Sequence, residues 1–161
     1  MIPLKYIPLR LSRKDRRKQR AMLQASRRAY KSGKYLSRAP LASYPHRPSR
    51  HLETARRLYG VETMTPTKKL AQQTGCSIGA LKQIVSKGEG AYFSSGSRPS
   101  QTAQSWGLAR LASAITGGKS AAVDFAILEK GCNHKKKAFR LALQSRKKNK
   151  HGQRRTRKIS I

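Results

Sequence analysis

Residues 87–107 read KGEGAYFSSGSRPSQTAQSWG, and this stretch decides how the fold of the chain is interpreted. It combines three glycines before Gly107 with the aromatic pair Tyr92 and Phe93 and the sole tryptophan, Trp106. Flexible linkers lack aromatic residues, whereas a shaped connection uses Gly and Ser to turn and aromatic rings to pack. We therefore expect a connection between the two halves of a small helical core, with its aromatic rings in that core.

The same stretch allows a second interpretation, as a phosphate site. Gly88, Gly90 and Gly96, together with Lys87 and Arg98, are of the types that hold a phosphate in a nest of backbone amides. Their spacing matches neither the Walker loop nor the dinucleotide fingerprint, which favours the packing role. Arg98 nevertheless stays a candidate for contact with a partner or with nucleic acid.

Helix signals occur on both sides of this stretch. Capping residues, glycines and apolar residues at helical spacing predict helices over 12–30, 49–60, 65–75, 77–88, 100–116, 120–130 and 133–147. The first of these begins with a capping box, Ser12 with Asp15, and is almost entirely polar. No segment alternates in the manner of a strand, so the sequence predicts an all-α fold with a small multi-helix core.

Residues 67–88, TKKLAQQTGCSIGALKQIVSKG, resemble the helix-turn-helix of DNA-binding proteins. Ala71 matches the small residue at the helix crossing, and Gly75 matches the turn glycine, which accepts a positive φ. The positions buried in that motif are occupied by Leu70, Cys76, Leu81 and Ile84. A packed helical hairpin that does not contact DNA is the alternative.

If this hairpin reads DNA, the exposed residues of its second helix face the major groove. They are predicted to be Gly79, Ala80, Lys82, Gln83 and Lys87. Of these, Lys82, Gln83 and Lys87 have side chains that make polar contacts with bases or phosphates.

The charge of the chain is unevenly distributed. The formal net charge is +31; residues 1–50 carry fifteen Lys and Arg against one acid, and residues 132–161 carry twelve against none. This pattern predicts three parts: a basic extended arm with one polar helix over 1–48, a helical core over 49–131, and a basic helix with a tail over 132–161.

Such an excess of positive charge favours polyanions or an acidic protein surface as partners. In the N-terminal arm the expected partner contacts are Arg16, Arg17, Arg27, Arg28, Tyr30, Tyr35 and Tyr44, with the tyrosines as anchors. A disordered linker is the alternative for residues 31–48, although such linkers carry fewer aromatic residues.

Several classes of protein are disfavoured by the sequence. The six acids are scattered, and the sequence shows neither a Ser, His and Asp arrangement nor a pair of carboxylates typical of an active site. We therefore expect no catalytic residues, no cofactor and no small-molecule substrate. Cys76, Cys132 and His134 fall short of a zinc ligand set, so no metal is expected. Two cysteines make no disulfide framework, so we expect both thiols to be reduced.

No apolar run is long enough to span a membrane.

Residues 87–128 resemble a domain of uncharacterised function from nucleocytoplasmic large DNA viruses. The resemblance rests on GAYFSSGSRP, QTAQSWGLARLAS and TGGKS, covers about residues 45–132, and brings no established catalytic residues. It implies a viral protein, and we expect a minor capsid or cement protein on the inner face of the capsid, made in the host cytoplasm. Its expected partners are major and other minor capsid proteins, with genomic DNA and an anionic inner membrane as further ones.

An alternative of another class is a viral DNA-binding protein, which condenses the genome or regulates transcription through the helix-turn-helix. A third, RNA binding in the manner of a ribosomal protein, fits the composition alone.

Overall fold

The computed structural model describes residues 1–150 and 157–160, and it is mostly helical. Its eight helices are α1 Arg13–Lys31, α2 Arg50–Tyr59, α3 Lys68–Thr74, α4 Ile78–Ser94, α5 Ala103–Ile115, α6 Lys119–Val123, α7 Phe125–Gly131 and α8 Lys137–Asn149. The all-α prediction is confirmed at this level. Among the described residues, no helix has the length and apolar character that crossing a membrane requires.

A small antiparallel sheet was not expected from the sequence. Strand β1, Ile2–Pro3, pairs with β2, Lys158–Ile159, and a short 3-10 helix, Leu4–Tyr6, follows β1. The backbone N–H of Leu4 also donates to the carbonyl of Arg157 at 2.8 Å. Part of the expected basic tail, residues 151–156 and 161, lies outside the described residues.

The chain divides into two compact units. Unit 1 contains residues 1–47, 89–106 and the described part of 155–161, and unit 2 contains residues 48–88 and the described part of 107–154. The chain passes from unit 2 to unit 1 within α4 and returns within α5. The segment over 1–48 was expected to be an extended arm; in the structure, residues 1–47 belong to unit 1.

Unit 1 has its own hydrophobic core, supplied mainly by its N-terminal segment. The buried members are Ile2, Tyr6, Ile7, Leu11, Leu23, Leu41 and Tyr44, with Met22, Trp106 and Ile159 packed at the edge. Gly96 has a φ of +121° and a Cβ there would lie 2.7 Å from Leu23, so this position requires glycine.

Helix α1 is capped as the sequence predicts. Ser12 accepts a hydrogen bond of 3.1 Å from the backbone N–H of Asp15. Its buried face is mostly polar and consists of Asp15, Gln19, Leu23 and Ser26. These polar groups have partners; for example, the Gln19 amide donates to the carbonyl of Tyr6 at 3.1 Å. Because buried polar groups are satisfied, α1 packs within the chain with little apolar surface.

Unit 2 is built around a larger core from α2–α8. Its fully buried side chains include Leu70, Leu81, Ile84, Leu111, Ile115 and Leu128. The phenol of Tyr59 donates a hydrogen bond to the carbonyl of Ile115, and burial raises its pKa well above the ordinary value. Leu70 of α3 and Leu81 and Ile84 of α4 belong to this core, so both helices pack against it.

The expectation of reduced thiols is wrong. Cys76 and Cys132 form a disulfide with an S–S distance of 2.05 Å, across 56 positions of sequence. The two residues form an isolated antiparallel bridge, flanked by hydrogen bonds from the Ser77 amide to Gly131 and from the Asn133 amide to Gly75. The backbone pairing, which is non-local, brings the two sulfurs together.

Several predicted helix boundaries also need correction. Helix α3 begins after its cap, Thr67, and not at 65 as predicted. Helix α8 begins at Lys137 and not at 133, since Asn133 accepts from the Lys135 amide and caps no helix. The helix expected over 120–130 is two helices, α6 and α7, with Asp124 between them.

The largest correction concerns residues 87–107. Helix α4 does not stop at Gly88 but continues to Ser94. A Cβ on Gly88 would lie 2.6 Å from Gly107 Cα, so glycine here permits a close helix crossing. The amides of Gly88 and Gly90 lie inside a helix, which removes the basis of the phosphate nest. Of the rings that the packing interpretation places in the core, Tyr92 is fully buried, whereas Phe93 and Trp106 are half-buried.

Candidate nucleic-acid interface

The exposed face of α1 carries a row of cations. We call it the cationic ridge, and it consists of Arg13, Lys14, Arg17, Lys18, Arg28 and Lys31, all exposed. At 100° per residue Arg13, Lys14, Arg17, Arg28 and Lys31 lie on the side of the helix away from its buried face, and Lys18 lies at the edge of that side. The row extends for about 27 Å, because each residue adds about 1.5 Å. Arg17 and Arg28, which the sequence proposed as partner contacts, belong to it.

The other two proposed arginines of α1 are engaged within unit 1. Arg16 donates from its guanidinium to the carbonyls of Leu9 at 2.7 Å and Leu11 at 3.4 Å. Arg27 donates to the carbonyls of Ser95 at 2.9 Å and Met1 at 3.2 Å. Both side chains therefore hold neighbouring segments, and they are less available to a partner than Arg17 and Arg28.

Arg38 was not singled out from the sequence, yet it is the most buried cation among the described residues of unit 1, with 8% exposed. Its guanidinium donates to the hydroxyls of Ser26 and Ser97, each at 2.9 Å. It also lies 3.8 Å from the ring centroid of Tyr92. Burial lowers the pKa of Arg38. Its role is to join residues 34–38 to α1 and α4.

The three tyrosines expected to anchor a partner have different environments. Tyr44 is buried in the core of unit 1, whereas Tyr30 is 39% exposed and Tyr35 is 66% exposed. The rings of Tyr30 and Tyr35 meet edge to face, with centroids 6.0 Å apart. The structure thus leaves surface for a partner on Tyr30 and Tyr35 and little on Tyr44.

Arg98 is exposed and lies near Tyr44. Burial alone would raise the pKa of the Tyr44 phenol, but hydrogen bonds from Arg10 and Arg98 and their charges lower the pKa below its ordinary value. Arg10 also lies 4.5 Å from the centroid of the Tyr44 ring. Arg98 therefore has a contact within unit 1 as well as an exposed position.

In unit 2, helices α3 and α4 are joined by a short turn. Gly75 follows α3 in the left-handed conformation, with φ of 75°, as the resemblance to a helix-turn-helix requires. The Ser77 hydroxyl accepts from the Ala80 amide at 3.1 Å at the start of α4. Leu70, Cys76, Leu81 and Ile84 are buried, as predicted. Contact of this hairpin with DNA stays a prediction.

Of the residues predicted to be exposed on α4, Ala80 is in fact buried, with 6% exposed. The prediction failed there because Ala80 packs against Gly131, the last residue of α7, and the local sequence does not reveal this contact. Gly79, Lys82, Gln83 and Lys87 are exposed. Gln83 lines a shallow groove between α4 and α7 with Ser77, Gly79, Ala80, Ala126, Ile127, Lys130 and Gly131.

Lys87 has an acidic partner that the sequence did not indicate. Its Nζ lies 3.3 Å from the carboxylate of Asp124, which also accepts two hydrogen bonds of 2.7 Å from Arg110. The Asp124 side chain is 0% exposed. The sequence signal that could have indicated a buried ion pair is a single acid between Val123 and Phe125, inside an apolar helical segment. The Lys87 side chain thus pairs with Asp124 while about half of its surface, 49%, stays exposed to solvent.

A third group of cations surrounds α8. Lys135, Lys136, Lys137, Arg140, Lys147, Lys148 and Lys150 are all exposed. They lie in unit 2, in the region that the sequence assigned to a basic C-terminal part. Among residues 1–150 and 157–160, no group of three or more His, Cys, Asp and Glu could hold a metal ion.

Comparison with known proteins gives one match. A family model described as a family of unknown function, DUF5824, matches residues 3–131. No curated protein matches, and neither does any solved structure. The match includes most of unit 1 as well as the hairpin of unit 2.

Proposed function

The chain belongs to DUF5824, a family of unknown function, and we propose that it is a nucleic-acid-binding protein that contacts phosphates through both units. The observation that carries this proposal is the charge of the folded surface. Unit 1 holds eighteen Lys and Arg against two acids, and unit 2 holds nineteen against four. Six acids are too few to neutralise 37 cations, so a polyanion is the complementary partner.

The placement of the acids strengthens this argument. Asp15 and Asp124 are buried and hydrogen-bonded inside the protein. Glu53 pairs with Arg57, and Glu129 lies 3.9 Å from Arg146. Glu62 is exposed and Glu89 is half-buried. The exposed cations of α1 and α8 therefore outnumber the acids that remain on the surface, which favours phosphate as their partner.

The contacts support phosphate binding more than the reading of bases. On α4, Ala80 is buried and Lys87 is paired with Asp124, which leaves Lys82 and Gln83 as polar groups for a groove. Two such side chains specify few base pairs. We therefore propose that the protein coats or condenses nucleic acid with weak sequence preference.

Neutralising part of the cationic ridge tests this proposal. We expect Lys14→Gln, Arg17→Gln, Lys18→Gln and Arg28→Gln together to weaken binding and to reduce the slope of log Kobs against log salt by about 3 to 4. Gln72→Ala with Gln73→Ala, exposed on α3 and uncharged, serves as the matched control. Equal affinity and slope for the ridge variant and the wild type would contradict the role of this surface.

A second candidate is a minor capsid or cement protein on the inner face of a virion, bound to major and minor capsid subunits. One observation favours it: unit 2 exposes the apolar side chains of Val123, 47% exposed, and Leu143, 40% exposed, which phosphate binding does not use. We expect the protein in purified particles, and Val123→Ser with Leu143→Ser to reduce its incorporation. Absence from particles would contradict this candidate.

A further inference from the structure

Three aromatic rings form a connected row in unit 1. The Tyr35 ring lies edge to face with Tyr30 at 6.0 Å and with Phe93 at 5.2 Å between centroids. Tyr35 is 66% exposed, whereas tyrosine side chains are usually at least partly buried. A large ring held between two others, with most of its surface in solvent, offers a π-face to a ligand.

The turn after α1 places Tyr35 beside Tyr30. Gly33 has a φ of +73°, its amide donates to the carbonyl of Tyr30 at 3.0 Å, and the Lys34 amide donates to Ala29 at 2.9 Å. This is a Schellman motif, which reverses the chain at the end of a helix. The reversal returns residues 34–36 to the last turn of α1.

Contacts on the far side of Tyr35 fix the same segment. The Arg38 amide donates to the Tyr92 hydroxyl at 2.9 Å, and the Arg38 side chain bonds Ser26 and Ser97. The carbonyl of Leu36 lies 3.4 Å from the Ser26 hydroxyl. Both ends of the segment are thus tied to helices, so the ring of Tyr35 is positioned before any ligand arrives.

The charge next to the rings is positive. Lys31 follows Tyr30, Lys34 precedes Tyr35, and both side chains are exposed. The sequence has no acid between Asp15 and Glu53. Glu89, one helical turn before Phe93 on α4, is the other acid of unit 1 and is half-buried. Exposed rings beside lysines are complementary to a ligand that has both flat π-faces and phosphates.

We propose that Tyr30 and Tyr35 form a stacking platform for the bases of single-stranded nucleic acid, with Lys31 and Lys34 on the adjacent phosphates. This rests on the proposed function and adds to it a preference for unpaired strands. In a duplex the bases are already stacked and paired, so they do not reach exposed rings without melting. In a single strand every base has a free π-face, and stacking depends little on sequence.

Binding of the full chain to two fluorescently labelled probes tests this platform by anisotropy. One probe is an oligothymidylate of about 20 nucleotides, longer than the strand that a single small domain usually covers, and the other is a duplex of the same length. We expect Tyr30→Ala with Tyr35→Ala to weaken binding to the single strand at least about fivefold. Binding to the duplex and the salt slope stay unchanged, because no phosphate contact is lost.

Two variants separate stacking from a structural effect. Tyr30→Phe with Tyr35→Phe keeps the rings and is expected to retain wild-type affinity. Leu9→Ala, an exposed apolar residue of unit 1 outside the ring row, is the control and is expected to change neither affinity.

The failures are distinguishable. If the wild type binds neither probe at low salt, the proposed function itself is wrong. If it binds both and the double alanine variant loses nothing, or loses equally on both probes, phosphate binding survives and the platform is overturned.

Discussion

The hydroxyl of Ser43 donates a hydrogen bond of 2.6 Å to Oδ2 of Asp15. The same hydroxyl accepts a hydrogen bond of 3.1 Å from the backbone N–H of Ser12, whose own side chain accepts from Asp15. In a usual capping box a Glu reaches back to the cap amide directly. Asp15 is one methylene shorter, and Ser43 bridges the gap. The start of α1 is thereby joined to the turn at 41–44.

Asp15→Asn is expected to lower the stability at neutral pH and to have less effect in acid. Hydrogen bonds from Ser43 hold the pKa of the Asp15 carboxyl below its ordinary value of 3.8. A lowered folded-state pKa means that the stabilisation is complete above about 3.8 and is lost as the pH falls through the folded value.

Thermal denaturation at neutral pH and at a pH well below that value measures this effect. Ser43→Ala removes the hydroxyl donor and keeps the backbone N–H, which also donates to Oδ2 of Asp15 at 2.9 Å, so it should show a smaller effect with the same direction of pH dependence. A melting difference from wild type that is identical at the two pH values would contradict the linkage.

Gly88→Ala is expected to destabilise unit 2 by about 1 to 3 kcal/mol, because the added methyl forces a well-packed contact apart. Its Cβ would lie 2.6 Å from Gly107 Cα and 3.2 Å from Arg110 Cβ. Gly90→Ala is the matched control on the same helix, since a Cβ there meets nothing within 4 Å. The control should stabilise by up to about 1 kcal/mol through helix propensity. Urea denaturation that ranks the two variants in the opposite order would refute the close crossing.

Asp124→Asn is expected to cost about 3 to 5 kcal/mol, because it leaves the guanidinium of Arg110 half-buried without its carboxylate. The partner is 20% exposed and donates twice at 2.7 Å. Glu53→Gln breaks an exposed pair with Arg57 and should cost at most about 1 kcal/mol. Chemical denaturation of both variants checks this contrast, and equal losses would show that Asp124 does not act as a buried anchor.

Reduction of the disulfide is expected to destabilise unit 2 by about 4 kcal/mol, since the bond closes a loop of 56 positions in the unfolded chain. Denaturation with and without a reductant measures the difference. Cys76→Ser with Cys132→Ser should unfold like the reduced wild type and should not respond to the reductant. If denatured protein that has not been treated with a reductant contains two free thiols, the disulfide is contradicted.

Local signals in the sequence predicted local features correctly. Ser12 as a cap, Gly75 as a left-handed turn residue and the buried positions of the α3–α4 hairpin are confirmed, since each depends on neighbours within one or two turns. Gly88 was misinterpreted because a glycine that ends a helix and one that admits a crossing helix look alike in sequence. The contact that distinguishes them, with Gly107, is distant along the chain.

The candidate site shows the same limit. Tyr30, Tyr35 and Tyr44 occur in one basic segment, but only tertiary packing, which places Tyr44 in one core with Leu11 and Leu41, separates the buried ring from the exposed ones. The pairing of Cys76 with Cys132 and of Asp124 with Arg110 also joins residues that are distant along the chain. The excess of cations, in contrast, needs no fold and was evident from composition.

The salt dependence of binding is the most direct test of phosphate recognition by this chain. The affinity of the full chain for nucleic acid is measured by anisotropy from low to moderate salt, with single strand and duplex in parallel. If at least about six phosphates are neutralised, log Kobs falls against log salt with a slope of about −4 or steeper. A flat salt dependence, or no binding at about 50 mM salt, would contradict the account.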